Sequence, residues 1–386
     1  MGLKARLSFM EGGIVRLVPI GNAKRTSLVQ EKATRYAVTM NDVLSFRAPS
    51  SASASDKPKL ASSERISILD GWRAVSIMAV MAGHLVPLGP ARWELNGAVA
   101  AFGMAIFFTL SGFLITRFLL AKQDVPDFLA RRLFRIVPLA WAAMLILITV
   151  DKANLPTALS NLAFISNLPP TRLLHGGEHL WSLCVEMQFY VGVALLVSVF
   201  KQRGLLILPV IALCVTLIRI VNQAPISIFT YERLDEILAG ATLALFYNWK
   251  AKVDIGRFTV LLIAPVAVLS AHGAAGWLCY ARPYLVAAMV GSTLFAAPNW
   301  MRRLYGLRIM LWIAEISYGL YVLHAMLSAT WLGSGEKLVK YAKRPLLIAL
   351  TFVGADLSYR FYEVPARRWG QGLVKRFRPP PISGVD

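Results

Sequence analysis

Apolar runs long enough to cross a bilayer recur along most of this 386-residue chain. A helix needs about 20 apolar residues to span the hydrocarbon core, so such runs strongly constrain the fold that a chain can adopt. From Ile66 onward we predict spans at residues 66–88, 98–117, 133–150, 180–200, 204–221, 233–248, 258–272, 277–297, 308–331 and 345–362. The predicted fold class is therefore an all-α integral membrane protein with about ten transmembrane helices.

Composition and charge support this class. Apolar residues make up 56% of the chain and charged residues only 16%, against roughly 25% charged residues in soluble domains. The formal net charge is +20, but the basic residues form short clusters between apolar runs. A single basic patch would suggest a nucleic-acid partner, whereas this distribution does not. The three cysteines lack paired or metal-ligand spacing, so we interpret them as small buried residues.

The charge of the loops predicts the orientation. Residues 1–64 are basic and hold no spanning run, so we expect a disordered cytoplasmic extension before a transmembrane domain at 65–369 and a basic cytoplasmic tail at 370–386. If the N-terminus is cytoplasmic and ten spans follow, eighteen Lys and Arg residues beyond residue 66 fall on the inner side and seven on the outer side. This excess on the inner side predicts that both termini are cytoplasmic. The seven outer residues are Arg92, Lys152, Arg172, Lys337, Lys340, Lys343 and Arg344.

The first predicted span carries ionisable side chains, which are expensive in a membrane and therefore indicate function. Arg73 and His84 are eleven positions apart, so they share nearly one helix face at a separation of about 16 Å along the axis. This separation suits the extended pantetheine arm of a cytoplasmic acyl-CoA, whose phosphate would bind Arg73 and whose thioester would lie near His84. His84 is then the candidate general base for an acceptor hydroxyl. Alternatively, Arg73 pairs with Asp70 to hold helices together and His84 is a satisfied interior histidine.

The sequence around these residues resembles the acyltransferase 3 family of membrane O-acyltransferases. The resemblance begins with Arg73 and His84 in LDGWRAVSIMAVMAGH and runs from about Arg65 to Trp369. Five further segments are similar to family motifs in the same order: FFTLSGFLIT at 107–116, RRLFRIVPLAW at 131–141, HLWSLCVEMQFY at 179–190, ISYGLYVLH at 316–324 and YRFYEVPARRW at 359–369.

This resemblance implies a ten-helix bacterial membrane enzyme that uses cytoplasmic acyl-CoA, usually acetyl-CoA, to acylate an extracytoplasmic glycan or glycolipid. The essential arginine and histidine of the family map onto Arg73 and His84, and its fourth-helix glutamate maps onto Glu186. Met187 stands where many members carry a second acidic residue. The sequence shows no appended esterase-like domain, so we expect the membrane domain to act alone or with a partner.

Glu186 is the second predicted catalytic residue. It starts the fourth span at the depth of His84, and we expect it to orient the His84 imidazole and stabilise the imidazolium. The alternative is an interfacial glutamate that contacts lipid headgroups or a neighbouring arginine.

Further polar residues have weaker assignments. Arg131, Arg132 and Arg135 are candidates for the CoA phosphates, although arginines at cytoplasmic helix ends are also ordinary topology signals. The candidates for acceptor binding, each with a structural alternative, are Arg233, Asp235 and His324.

Two other motifs are interpreted without catalysis. We expect Ser111 and Gly112 to allow close helix packing rather than to carry an acyl group. His175 and His179 with Glu178 lie on a predicted loop, and this pattern does not define a zinc site without helical placement, so we predict no metal.

The predicted function is thus O-acyl transfer, with the lipid bilayer, acyl-CoA and a glycan as partners and no nucleic acid. The main alternative is a transporter or flippase of a lipid-linked sugar, which would favour related halves of the chain, and no convincing repeat is visible. The sequence alone leaves open the acceptor, the acyl length, the oligomeric state and the choice between direct transfer and an acyl-histidine.

Overall fold

A computed structural model of the chain describes residues 6–8, 16–18, 67–249 and 256–377. In the first part, β1 (Arg6–Ser8) and β2 (Arg16–Val18) pair as short antiparallel strands with Leu7 opposite Leu17. The rest of the predicted extension at 1–64 lies outside the described residues, as does the tail from residue 378. The chain divides at Glu64 into two units, and the second unit carries all the features described below.

The described part of the second unit is helical. Its α-helices are α1 (Ser67–Leu85), α2 (Leu95–Ala121), α3 (Val125–Val150), α4 (Leu155–Leu162), α5 (Trp181–Phe200), α6 (Leu208–Val221), α7 (Thr230–Arg233), α8 (Asp235–Asn248), α9 (Thr259–Leu269), α10 (Leu278–Ala296), α11 (Asn299–Tyr305), α12 (Arg308–Ser328), α13 (Lys337–Ala342), α14 (Arg344–Ser358) and α15 (Val364–Phe377). Short 3₁₀ segments lie at Ala91–Trp93, Glu178–Leu180, Lys201–Ile207 and Gly273–Ala275, and a π-helical turn at Tyr359–Glu363 leads into α15.

Each of the ten predicted spans coincides with one of these helices, but fewer helices qualify as membrane spans by themselves. Five helical stretches in the described residues are long and apolar enough to cross a bilayer, so the predicted count of about ten is not confirmed. They are Leu95–Ala121, Val125–Val150, Glu178–Val221, Leu278–Ala296 and Arg308–Ser328. The 44-residue stretch Glu178–Val221 holds two predicted spans, separated by a 3₁₀ turn in which Lys201 has a φ of 55°.

The surface of the helices is unusually apolar. Val221 and Leu262, for example, expose 80% and 77% of their side chains. Water-soluble proteins rarely expose extended apolar surface of this kind, whereas a bilayer requires it. The exposed apolar residues therefore support the predicted membrane class.

Local sequence signals set the helix ends near the site. Asp124 caps α3 by accepting a hydrogen bond from the backbone N–H of Asp127 at 2.9 Å, and Pro126 occupies the first turn. After α1, Pro87 and Pro90 prevent the helix from continuing. The segments on either side of these signals therefore enter the bundle at defined positions.

Close backbone contacts fix α2 between α1 and α8. A Cβ atom on Gly112 would lie 1.8 Å from the carbonyl oxygen of Ile237, and one on Gly240 would lie 2.0 Å from that of Thr109. On the other side, the Ser76 hydroxyl donates a 2.8 Å hydrogen bond to the carbonyl of Gly103. Small residues permit such approaches in membrane bundles. The helix that carries Arg73 and His84 is thereby held in a fixed register.

Candidate active site

A cavity of about 680 Å³, counting the solvent at its opening, lies among α1, α2, α3, α5 and α12. Three arginines from two helices line it: Arg73, Arg132 and Arg135. Arg73 also pairs with Asp70 at 3.2 Å, as the structural alternative expects, and phosphate binding by Arg73 stays a prediction. The remaining polar and aromatic lining comes from Ser76, Phe107, Ser111, Glu186, Tyr190, Ser317, Tyr318 and Tyr321.

Glu186 is buried in the wall of this cavity. The side chain is 4% exposed, and its Oε1 accepts hydrogen bonds from the hydroxyls of Ser111 and Tyr190. The Arg132 guanidinium lies over the Tyr190 ring, 5.8 Å from the ring centre. Because two hydroxyls and a nearby cation surround this carboxylate, it forms an anchored polar group within the cavity.

His84 lies farther along α1, and its partner is His324 of α12. The His84 Nδ1 and the His324 Nε2 are 2.9 Å apart, with the two rings nearly parallel. The His324 Nδ1 lies 3.1 Å from the carbonyl oxygen of Leu320 and 2.7 Å from that of Tyr321. Both carbonyls can only accept, so His324 carries its hydrogen on Nδ1 and its Nε2 is the acceptor.

This arrangement determines the tautomer of His84. Since the His324 Nε2 accepts, the neutral His84 ring donates from Nδ1 and keeps a lone pair on Nε2. The His84 side chain is exposed, whereas that of His324 is completely buried. The neutral His84 ring thus keeps an Nε2 lone pair on an exposed residue, while its Nδ1 bonds a buried partner.

Tyr321 and His179 join the cavity to the histidine pair. Tyr321 lines the cavity, and its hydroxyl donates to the backbone carbonyl of His179 and lies 2.6 Å from the Ser182 hydroxyl. The ring centres of Tyr321 and His179 lie 5.8 Å and 5.1 Å, respectively, from that of His324. His179 Nε2 donates to the Val322 carbonyl at 3.2 Å. Polar side chains therefore continue from the arginine-lined cavity to His84.

The sequence of this chain matches a known protein family over most of its length. The family model described as an acyltransferase domain, that of acyltransferase 3, matches residues 66–360. The chain belongs to the acyltransferase 3 family. The chain is similar to the peptidoglycan O-acetyltransferase OatA of Listeria monocytogenes serovar 1/2a, at 26% identity in an alignment that covers 80% of the chain and 57% of OatA.

Other relatives carry related names. YrhL of Bacillus subtilis strain 168, provisionally named a peptidoglycan O-acetyltransferase, is 27% identical over 78% of this chain and 55% of its own length. The provisionally named O-acetyltransferase SACOL0978 of Staphylococcus aureus strain COL is 24% identical over 78% of this chain and 57% of its own length. The chain thus spans a little over half the length of these relatives. No solved structure matches it.

The three predicted donor arginines on α3 have different surroundings. Arg132 and Arg135 line the cavity, whereas Arg131 forms an ion pair with Asp127 at 2.8 Å and its side chain is 45% exposed. The three side chains diverge because consecutive helical positions point about 100° apart, while positions 132 and 135 share a face. The structure does not support the prediction that Arg131 contacts the donor.

The predicted support of His84 by Glu186 is wrong as a direct contact. The Glu186 oxygen bonds Ser111 and Tyr190, and the His84 Nδ1 is taken by His324. Similar depth in two predicted spans does not place side chains on facing surfaces, because the rotation of each helix depends on its packing. A direct catalytic role of either residue stays a prediction.

Arg233 and Asp235 lie in a buried ion-pair network. Asp235 pairs with Arg219 at 2.5 Å, and Glu236 pairs with Arg282 at 2.7 Å and with Arg233 at 3.3 Å. Each of these side chains is at most 2% exposed. The structural alternative for Arg233 and Asp235 therefore accounts for their contacts, and acceptor binding by these two residues stays a prediction.

Residues that the sequence interpretation left without a role contribute to the site. Ser111, expected to serve packing, donates to Glu186, while the neighbouring Gly112 does provide a close helix contact. Ser182 and Tyr321 were not singled out, although both lie inside the motifs HLWSLCVEMQFY and ISYGLYVLH. Their position inside these motifs is the sequence signal that could have identified them. The contact between their two hydroxyls is visible only in the tertiary structure.

The loop with His175 and His179 places its histidines in different surroundings. His175 is exposed and lies 3.3 Å from Glu178, whereas His179 is buried against Tyr321 and His324. Within the described ranges, no group of three His, Cys, Asp or Glu side chains has a metal-binding arrangement. Cys184 and Cys279 are buried as expected, but Cys214 is exposed on α6.

Proposed function

We propose that this protein transfers an acyl group, typically acetyl, from cytoplasmic acyl-CoA to a hydroxyl of an extracytoplasmic or lipid-linked glycan. One observation carries the proposal: a cavity with three arginines is connected by polar side chains to an exposed histidine whose tautomer is fixed. The printed names of OatA and YrhL include peptidoglycan, which makes a cell-envelope glycan a reasonable acceptor class.

The arginine-lined cavity suits the donor. Acyl-CoA carries several phosphate charges, and guanidinium groups bind phosphate through paired, charge-assisted hydrogen bonds. Arg73, Arg132 and Arg135 would contact the nucleotide end, and the aromatic and aliphatic lining would accept the pantetheine arm. Arg73 and His84 are separated by about 16 Å along α1, so a donor held at Arg73 would extend its thioester towards His84.

His84 would act on the acceptor. Its Nε2 takes the proton of an acceptor hydroxyl while the oxygen attacks the thioester carbonyl, and the C–S bond then breaks as the new ester forms. The imidazolium is stabilised by the hydrogen bond from Nδ1 to His324, and it returns the proton to the departing CoA thiolate. The same lone pair also suits a two-step route through an acyl group on Nε2.

The proposal includes a place in the bacterial cell (inner) membrane. Ten helices at the predicted positions, exposed apolar surface and the loop charges support a multi-pass protein with about ten crossings and both termini cytoplasmic. In this orientation the arginine-lined cavity opens towards cytoplasmic acyl-CoA and His84 lies towards the outer leaflet.

Analysis of acyl esters on surface glycans tests the proposal. Cells that produce the wild type should gain ester-linked acyl groups, and His84→Ala at equal membrane abundance should lose at least 100-fold of this transfer, the scale of general-base catalysis. His175→Ala is the matched control because His175 is exposed and outside the polar connection. Unchanged acylation in His84→Ala would exclude this base. If no glycan gains acyl groups with the wild type, transport of a lipid-linked sugar becomes the better hypothesis.

A further inference from the structure

A second, more open groove begins at the residue after His84. Its lining comes from the end of α1 and the turn after it, together with α13 and α14: Leu85, Val86, Pro87, Tyr341, Arg344, Pro345 and Ile348. It is separate from the arginine-lined cavity, with which it shares no lining residue. Leu85 follows His84 in the same helix, so the groove begins one residue beyond the proposed base, although His84 itself is not a lining residue.

Arg344 gives the groove a charged group with unused hydrogen-bonding capacity. The residue is 8% exposed, and its Nη1 donates to the Ser328 hydroxyl at 3.3 Å. Its Nε is buried without a hydrogen-bond partner among the described residues. A buried guanidinium N–H without a partner is costly, so this geometry favours an anionic ligand. The other six lining residues are apolar or aromatic.

The surroundings of the groove carry an excess of positive charge. Four of the seven cations on the predicted outer side lie in one short segment, at Lys337, Lys340, Lys343 and Arg344. The positive-inside tendency gives no reason for such a cluster on the outer side. Lys343 contacts the carbonyls of Trp331 and Ser334 and therefore helps to fix the segment, while Lys337 remains exposed.

The same segment has the character of a membrane interface. Leu338 and Trp331 expose 84% and 63% of their side chains. Tryptophan and basic residues concentrate where hydrocarbon meets headgroups. A groove at this level can be entered by a lipid from the bilayer, with its chain on the apolar wall and its headgroup at Arg344.

We propose that this groove binds the acceptor as a phosphate-linked glycolipid, with the phosphate on Arg344 and the lipid chain against Pro87, Pro345 and Ile348. This inference rests on the proposed function and specifies its acceptor class: the glycan is acylated while it is still attached to its lipid phosphate. A lipid-free polymer would leave the apolar wall uncovered and the Arg344 Nε without a hydrogen-bond partner.

A binding experiment on the purified full-length chain in nanodiscs tests this assignment. The probe is a labelled long-chain isoprenyl phosphate, with the corresponding isoprenyl alcohol, inorganic phosphate and phosphatidylglycerol as competitors. We expect saturable binding of the phosphate, about tenfold weaker competition by the alcohol and negligible competition by inorganic phosphate, since one charge-assisted hydrogen bond contributes a factor of about ten or more.

Four variants sharpen the result. Arg344→Gln should weaken probe binding about tenfold, while Arg344→Lys, which keeps the charge, should lose less. Ile348→Trp should block the lipid chain and weaken binding with Arg344 intact. Arg172→Gln, at an exposed loop position, is the matched control and should bind as the wild type does. Equal competition by the alcohol or by phosphatidylglycerol, or unchanged binding in Arg344→Gln, would overturn the proposal.

The readout separates this proposal from acyl transfer. Probe binding is measured without acyl-CoA, so a chain that lacks transferase activity can still show Arg344-dependent binding. Conversely, acylation could depend on His84 while probe binding is unchanged in Arg344→Gln. That result would leave the transferase proposal intact and exclude the lipid-phosphate groove.

Discussion

Two backbone carbonyl oxygens fix the tautomer of His324, and His324 in turn fixes the tautomer of the exposed His84. His324 is tied by its Nδ1 to the carbonyls of Leu320 and Tyr321, and this leaves its Nε2 to accept from His84. Backbone carbonyls cannot exchange donor and acceptor roles, so the direction of the hydrogen bonds is fixed. His324 is completely buried, so we propose that it positions His84, and acceptor contact by His324 stays a prediction.

Replacing His324 tests this role. His324→Ala should lower kcat for acyl transfer about 100-fold, since the His84 tautomer and the imidazolium lose their support. The KM for acyl-CoA should change little because His324 does not line the donor cavity. His324→Gln should restore part of kcat, since its amide oxygen can accept from His84. Steady-state kinetics in nanodiscs provide both constants, and a change confined to KM would contradict the assignment.

The arginines of α3 offer a matched comparison. Arg132→Gln and Arg135→Gln should each raise the KM for acyl-CoA by about tenfold, the effect of losing a charge-assisted contact. Arg131→Gln should stay near the wild-type value because this side chain pairs with Asp127 outside the cavity. Binding of acyl-CoA by isothermal titration checks the same order independently. Equal losses in all three variants would indicate a general effect of positive charge.

At the scale of elements, the contact between α2 and α8 determines where the site residues lie. The two helices approach so closely that glycine is required at their crossing, and Ser111 and Phe108 lie beside this crossing. Ser111 contacts the Glu186 carboxylate, while the Phe108 ring lies 5.9 Å from the Arg233 guanidinium. A change in the helix crossing would therefore disturb the cavity and the buried ion pairs together.

Alanine substitutions in one helix test this contact. Gly112→Ala would place a methyl group 1.8 Å from the Ile237 carbonyl oxygen, and we expect destabilisation by about 1–3 kcal/mol or more. Gly97→Ala in the same helix meets nothing within 4 Å and should be neutral or stabilising by up to about 1 kcal/mol. Thermal unfolding with a thiol-reactive dye can follow both variants, because Cys184 and Cys279 are buried in the folded state. Similar melting temperatures would contradict the close packing.

At the scale of the whole molecule, the proposal requires a donor and an acceptor on opposite sides of the membrane. The arginine-lined cavity and the groove at the end of α1 share no lining residue, and α1 contributes Arg73 to the cavity and Leu85 to the groove. An enzyme with two entrances can take a water-soluble donor at one side and a lipid-attached acceptor at the other. The ester bond is then made without moving the glycan across the bilayer.

Single-cysteine labelling tests this orientation. In a Cys214→Ser background, which removes the exposed native thiol, Gln123→Cys should react with an impermeant maleimide only after the cell membrane is opened. Arg92→Cys should react in intact cells, because the predicted topology puts residue 92 outside and residue 123 inside. Reaction of both positions from the same side would contradict a crossing by α2 and the predicted inner position of the donor cavity.

Local sequence patterns correctly predict the helical segments and the family. Apolar runs and helix-ending prolines act locally, so all ten predicted segments coincide with helices. The spacing of Arg73 and His84 is likewise a property of one helix. The number of true membrane crossings was less predictable, because polar residues in α1 and the shortness of helices such as α9 weaken the hydropathy signal.

Which side chains contact each other depends on how the helices pack in the tertiary structure. His84 pairs with His324, 240 positions later in the chain, rather than with Glu186, and Arg131 separates from Arg132 and Arg135. Such contacts depend on the rotation and crossing of packed helices, which are set by side-chain volumes and by glycines at the crossing points. A periodic pattern specifies the face of one helix, but the partner of that face is a property of the assembled bundle.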